Sequence, residues 1–298
     1  MTFSIVARDK KTGQVGVAVQ SHWFSVGSVV SWARAGVGAV ATQSMAEISY
    51  GPLGLELMSA GKSAEHSLDA LLKADSKRET RQVAMVDSKG RVAVHTGKKC
   101  IPFAGQATGD QFSCEANLMI NDAVWGAMQR SFERSNKLEL PERLIAALEA
   151  GQKAGGDVRG KQSAAIVVVS PNVSPNFWSG RLVDLRVEDH PNPIAELKRL
   201  LRLQRGYEFA NKGDELLTKG SFRESLRAYE KASRLAPEIE ELKFWQAVSL
   251  VQANRVKDAK PLFKQVFKKK REWIQVTKSL PEVGLLPDDP SLLKQIIN

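Results

Sequence analysis

The chain changes character at Pro191-Asn192-Pro193, and that break limits its fold more than any other feature. Before it, runs rich in Val, Ile and Phe alternate with amphipathic stretches. After it, from Ile194, nothing reads as a strand and helix follows helix. At 298 residues the chain is comfortable for two domains. The expected organisation is an α+β domain over 1–190, a short proline-bounded linker, and an all-α domain over 191–298.

In the first segment, Thr2–Arg8 and Val15–Ser21 read as strands joined by a polar turn containing Gly13. Both carry apolar residues on both faces, which predicts a sheet covered on both sides. Val37–Thr42 is another strand, Gln82–Val86 and Arg91–Thr96 a hairpin, Ala164–Val169 a central strand, and Arg181–Val187 a half-exposed one. Helices are expected over Leu53–Ala60 with Pro52 opening and Gly61 closing it, over Ala64–Lys73 capped by Ser63, from Asn121 or Asp122 to about Glu133, and from Pro141 to about Lys153. Without regular βαβ alternation, the order favours a layered α+β fold with a mostly antiparallel sheet.

Composition narrows the function classes. No apolar run approaches the roughly 18 residues of a membrane helix, and the N-terminal residues lack a secretory pattern. Cys100 and Cys114 are too few for a disulfide framework and fit no metal signature. A reduced, cytoplasmic protein with no membrane partner is expected. Of the formal net charge of +10, +7 lies from Pro191 onward, including Lys268-Lys269-Lys270-Arg271. Without an aromatic-basic nucleic-acid motif, this reads as a solvated face or an acidic-protein docking surface. Trp273 is the only stacking platform it offers.

Two C-terminal stretches align at a 34-residue offset and resemble tetratricopeptide repeats. Gly213, Leu216, Gly220, Tyr229, Ala232 and Pro237 occupy the first. Ala247, Leu250, Ala259, Phe263 and Val266 fill the second, with Asn254 replacing the turn glycine. Two repeats need a cap, which the helix around Ser291–Ile297 or the N-terminal domain would supply. Such a repeat domain would recruit a protein or peptide partner, or restrict access to the site.

There is no phosphate-cradling Gly-Lys-Ser/Thr loop, dinucleotide fingerprint, His-Glu-x-x-His or Gly-x-Ser-x-Gly elbow. His66, His95 and His190 are scattered; His22, directly after the second strand, is the one placed near a site. What remains is Thr2, behind the initiator Met at the head of a buried strand. Once Met1 is removed, Thr2 carries a hydroxyl and its own α-amine. That amine's reference pKa is about 8, so it can accept the hydroxyl proton and activate the nucleophile without a histidine.

Met1–Asp9, Gly16–Ser21, Ala33–Gln43, Tyr50–Gly54, Gly156–Ala165 and Arg181–Pro191 together resemble domain-of-unknown-function family 1028. This is a bacterial family placed in the N-terminal-nucleophile hydrolase superfamily. The resemblance implies a four-layer αββα sandwich with Thr2 as nucleophile and Arg34 as the electrostatic cation near its amine. Asp157 and Ser163 would surround the amine. Ser113–Leu118 matches a further family motif, except that Ala116 stands where glycine is usual. Within it Asn117 is a candidate oxyanion donor, as is Gln43 past the third strand. Ser21, His22 and Gln43 are placed at the substrate.

The function expected is hydrolysis of an amide or related acyl bond of a small molecule or peptide, with no metal and no organic cofactor. The competing expectation is a non-catalytic binding or scaffold protein on an inactive hydrolase fold. A homo-oligomer is left open.

Overall fold

A computed structural model describes residues 2–173, 176 and 179–297. It divides into two compact units, Met1–Arg199 and Leu200–Asn298.

The first unit holds two antiparallel sheets. The larger joins β1 (Thr2–Arg8), β2 (Val15–Ser21), β7 (Gly105–Gly109), β8 (Phe112–Asn117), β9 (Ser163–Val169) and β10 (Arg181–Val187) in the order β10-β9-β2-β1-β8-β7. The smaller joins β3 (Ser31–Arg34), β4 (Gly38–Ser44), β5 (Arg81–Asp87) and β6 (Val92–Thr96) in chain order. Alternation along the strands sends Val6, Val17, Val19, Ala165 and Val167 of the first sheet onto Ala39, Ala41, Ala84 and Val86 of the second. Each large apolar side chain taken from water there contributes about 1.5–3 kcal/mol.

Helices close the outer faces. Helices α1 (Tyr50–Ser59) and α2 (Ala64–Ala74) cover the smaller sheet, where Leu55, Met58 and Leu68 pack on Val40, Val83 and Met85. A Cβ at Gly51 would stand 2.4 Å from the Trp32 indole, so glycine is what lets α1 approach β3. Helices α3 (Ala123–Arg134) and α4 (Leu140–Lys153) cover the larger sheet. Gly16 of β2 admits Leu144 of α4, and the Phe112 and Phe132 rings lie 4.6 Å apart. Helix α1 begins at Tyr50, two residues ahead of the expected Pro52, and Gly61 ends the turn after it at φ 90°. Ser63 caps α2 by accepting from the His66 N–H at 3.1 Å.

Three strands escape sequence reading. In β8, Ser113, Glu115 and Asn117 occupy the face that should be apolar, and β3 and β7 are short and poor in strand formers. Helix α5 (Pro193–Thr218) starts in the first unit: Ile194 and Leu197 are buried, and Lys198 pairs with Glu149 of α4 at 2.8 Å.

The second unit continues with α6 (Phe222–Leu235), α7 (Glu240–Gln252), α8 (Val256–Lys269), α9 (Glu272–Ser279) and α10 (Pro290–Ile297). A Cβ at Gly213 would stand 2.8 Å from the buried Tyr229 ring, so glycine admits the aromatic. Gly220 and Asn254 both take left-handed backbone between helices, at φ 72° and 58°. Phe244, Ala247, Ala259, Phe263 and Val266 form a core to which Ile296 of α10 contributes. The Trp273 ring packs 4.4 Å from Phe244, so the one residue expected to offer a stacking platform serves that core instead. No helix among the described residues is long and apolar enough to cross a membrane.

Candidate functional site

Thr2 opens the middle strand of the larger sheet, paired with Ser21 on one side and Asn117 on the other. Its side chain shares the inter-sheet face with Ser4 and Val6 and is 3% exposed. The Thr2 hydroxyl donates to Ser21 Oγ at 3.0 Å. A cleft of about 440 Å³ opens onto Thr2, with Gln43, Arg81 and Arg159 among its polar lining and Trp23, Val26, Val30, Met45 and Ile48 among its apolar lining. That volume lies in the roughly 300–1,000 Å³ range of small-molecule sites.

Beneath Thr2 lies a buried amide cluster. Gln43 Nε2 and Asn117 Nδ2 donate to Gln82 Oε1 at 2.8 and 2.9 Å, and approach the Thr2 carbonyl oxygen at 3.5 and 3.4 Å. Gln82 Nε2 in turn reaches Thr96 Oγ1, the Gly105 carbonyl and the Ala116 carbonyl. Both proposed oxyanion donors are thus engaged in holding the Thr2 backbone. Gln43 Oε1 and Asn117 Oδ1 are buried without a hydrogen-bond partner among the described residues. Replacing Gln82 with Leu should strand the amides of Gln43 and Asn117. The expected cost is about 2–4 kcal/mol in chemical denaturation, and a loss below 1 kcal/mol would show that the cluster does not organise this end of the sheets.

Asp157 is fully buried at the side chain and ties its own loop to the end of β2. It accepts from the His22 N–H at 3.1 Å, from the Arg159 N–H at 2.9 Å, and from Arg159 Nε and Nη2 at 3.1 and 2.7 Å. Ser163 accepts from the Val26 N–H at 3.1 Å and donates to the Trp23 carbonyl. Its hydroxyl therefore fastens the loop that walls the cleft, two strands away from Thr2. His22 is half-buried and joins the site through its backbone N–H.

Arg34 is not brought to the site. It sits exposed at the end of β3, opposite Gly38. Gly38 is at the far end of β4 from Gln43, roughly 17 Å along the strand at about 3.4 Å per residue. The cations that share the cleft with Thr2 are Arg159 and Arg81. Arg81 Nε donates to Asp75 at 2.8 Å and Nη1 to the Met45 carbonyl at 2.6 Å. The hydrogen bond it donates to Asp75 holds its pKa above the ordinary guanidinium value.

Two further features escape sequence reasoning. Glu115 lies between the sheets with Ser4 donating to it at 3.3 Å, and burial pushes its pKa up to about 8. Ser25, Ser44 and Leu118 hold left-handed backbone at φ 54°, 72° and 54°. Ser44 lines the cleft, Ser25 lies in its Trp23–Val26 wall, and Leu118 follows Asn117, so strain gathers at this end of the sheets. Polar residues on a period-two apolar face, at Gln82 and Glu115, are the signal that could have found the cluster. Met1, whose removal the expected chemistry requires, lies outside the described residues. Among the described residues, no group of three His, Cys, Asp or Glu side chains is placed to hold a metal ion.

Residues 2–197 match the family described as "Family of unknown function (DUF1028)". The crystal structure of protein SPO2555 from Silicibacter pomeroyi, also described as DUF1028, superposes with a TM-score of 0.60 at 32% identity. The match covers 67% of this chain and 88% of that one. No curated protein matches.

Proposed function

The chain belongs to the DUF1028 family, and from that premise we propose that its first unit is an N-terminal-nucleophile hydrolase acting on an amide or related acyl bond. One observation carries the reading: Thr2 heads the middle strand with its hydroxyl fixed by Ser21 and a cleft of small-molecule size before it. The layer order helix, sheet, sheet, helix supports it, being the order the superfamily resemblance implies.

With Met1 removed, Thr2 Oγ1 bonds to the substrate carbonyl carbon and its proton passes to the Thr2 α-amine, directly or through a water. A backbone N–H of the cleft, whose lining includes Ala46, receives the oxyanion. Collapse breaks the C–N bond, and the leaving amine takes the proton from the Thr2 ammonium. Water then attacks the Thr2 ester, giving a proton to the same amine; that proton passes to Thr2 Oγ1 as its bond to the acyl carbon breaks, and the carboxylic acid departs. Arg159 disfavours the ammonium by charge alone, since a guanidinium does not accept a proton.

Asp157 acts as a positioning residue through Arg159 and the His22 N–H. Asp157→Asn should lower the rate about tenfold. It should also move the ascending limb of the pH–rate profile to lower pH, because a negative charge that favours the ammonium is gone. An unmoved limb with only lower thermal stability would assign Asp157 to loop structure. Intact-mass measurement of the natively expressed protein tests the premise: the mass should lack Met1, and a retained methionine would overturn the mechanism.

The second unit is read as a tetratricopeptide-type module that recruits a protein or peptide partner. The glycine-to-tyrosine contact at Gly213 and Tyr229, and the paired left-handed turns at Gly220 and Asn254, support it. One observation favours the competing reading of a non-catalytic binding protein: Asn117 and Gln43 spend their amide donors on Gln82 and Thr2. Hydrolysis by the methionine-free protein decides between them.

A further inference from the structure

We infer that the cleft before Thr2 is built for a linear acyl chain, with the carbonyl carbon at Thr2 and the methylenes running along Val26, Val29, Val30, Met45 and Ile48. The inference rests on the hydrolase reading for the bond that is broken, but not for binding of the chain.

The lining is chemically one-sided. Among the described residues its polar side chains are Thr2, Gln43, Ser44, Arg81 and Arg159, none of them a carboxylate, and Gln43 already donates to Gln82 and to the Thr2 carbonyl. The walls are aliphatic: Val26 and Val30 are buried, and Met45 and Ile48 stand 59% and 46% exposed at the rim beside Trp23. A ligand rich in hydroxyls would bring many O–H donors to a lining whose described residues include no carboxylate to accept them, and would bury them against valine, at a cost. A chain with one carbonyl or carboxylate head meets the donors at its head and covers the rim with its tail.

Both walls are preformed. Ser163 fastens the Trp23–Val26 segment. The Arg81 guanidinium holds the Met45 carbonyl, and Thr42 Oγ1 holds the Glu47 carbonyl at 3.0 Å. A pocket that needs no ordering on binding keeps the affinity gained from apolar burial.

The test is calorimetric titration of the full-length protein with sodium butanoate, hexanoate, octanoate and decanoate, beside hydrolysis of the 4-nitroanilides of the same acids. Affinity should rise about fourfold per methylene until the cleft is filled. Ile48→Ser and Met45→Ser, both at exposed positions, should weaken octanoate at least fivefold and leave butanoate nearly unchanged. Chain-length-dependent binding without hydrolysis would uphold the acyl site and remove the catalytic reading. Hydrolysis that gains nothing from chain length would keep the catalytic reading and overturn the acyl site. Absence of binding, together with a dimer in ultracentrifugation that Met45→Ser dissociates, would also overturn it by making the apolar rim a subunit contact.

Discussion

Thr2→Ala should abolish hydrolysis, with a fall of at least about 10³-fold, because removal of a covalent nucleophile leaves only binding and oxyanion stabilisation. Folding should barely respond. Among the described residues the hydroxyl makes one hydrogen bond, to Ser21, worth about 1 kcal/mol, and the β1 backbone pairing on both sides is untouched. Thr2→Ser keeps a hydroxyl and an amine and should retain measurable activity. In the wild type the rate should climb with pH as the amine loses its proton, at or below its reference value of about 8 because a guanidinium stands nearby. Denaturation curves and 4-nitroanilide hydrolysis on the same samples check both halves. Full activity in Thr2→Ala would remove the nucleophile from the mechanism.

Glu115→Gln should stabilise the protein at alkaline pH. Burial raises the folded pKa of Glu115 from the ordinary 4.5 to about 8. Below about pH 4.5 both states hold the proton and this group costs nothing. Between there and pH 8 the unfolded chain releases the proton while the folded chain keeps it. Stability therefore falls as pH rises, by about 1.4 kcal/mol per unit at most. Above the folded value the loss is complete, on the order of 5 kcal/mol. Glutamine keeps the shape without the titration, so the variant should match wild type near pH 4.5 and exceed it by about 2–4 kcal/mol at pH 8.5. Urea denaturation at the two pH values measures this, and parallel losses would show that Glu115 carries no penalty. Ser4, 3.3 Å away, offsets part of the cost.

The limits of sequence reading fall on particular residues. Strands β1, β2 and β9 are legible because valine, isoleucine and alanine fill them on both faces, and every one of their residues except Arg8 is buried. Strand β8 is not, because its inward face carries Ser113, Glu115 and Asn117, which local pattern assigns to solvent. Thr2 is legible from its place in the chain. The role of Asn117 is not, since an amide at a strand end has the same sequence signature whether it points at a substrate or at Gln82.

The sequence by itself determined the division of the chain into a strand-bearing and a helical part, the family, and the residue that heads the middle strand. These depend on local periodicity and composition, which neighbouring residues carry. The tertiary structure alone decided which cation accompanies Thr2. Arg34, on β3, stands opposite Gly38, five residues from Gln43 along β4, whereas Arg159 and Arg81, distant in sequence, line the same cleft. It decided in the same way that Gln82, Asn117 and Gln43 form one buried cluster under Thr2. Such meetings follow from two sheets facing one another at a fixed register, and no run of adjacent residues encodes which side chains will then stand opposite.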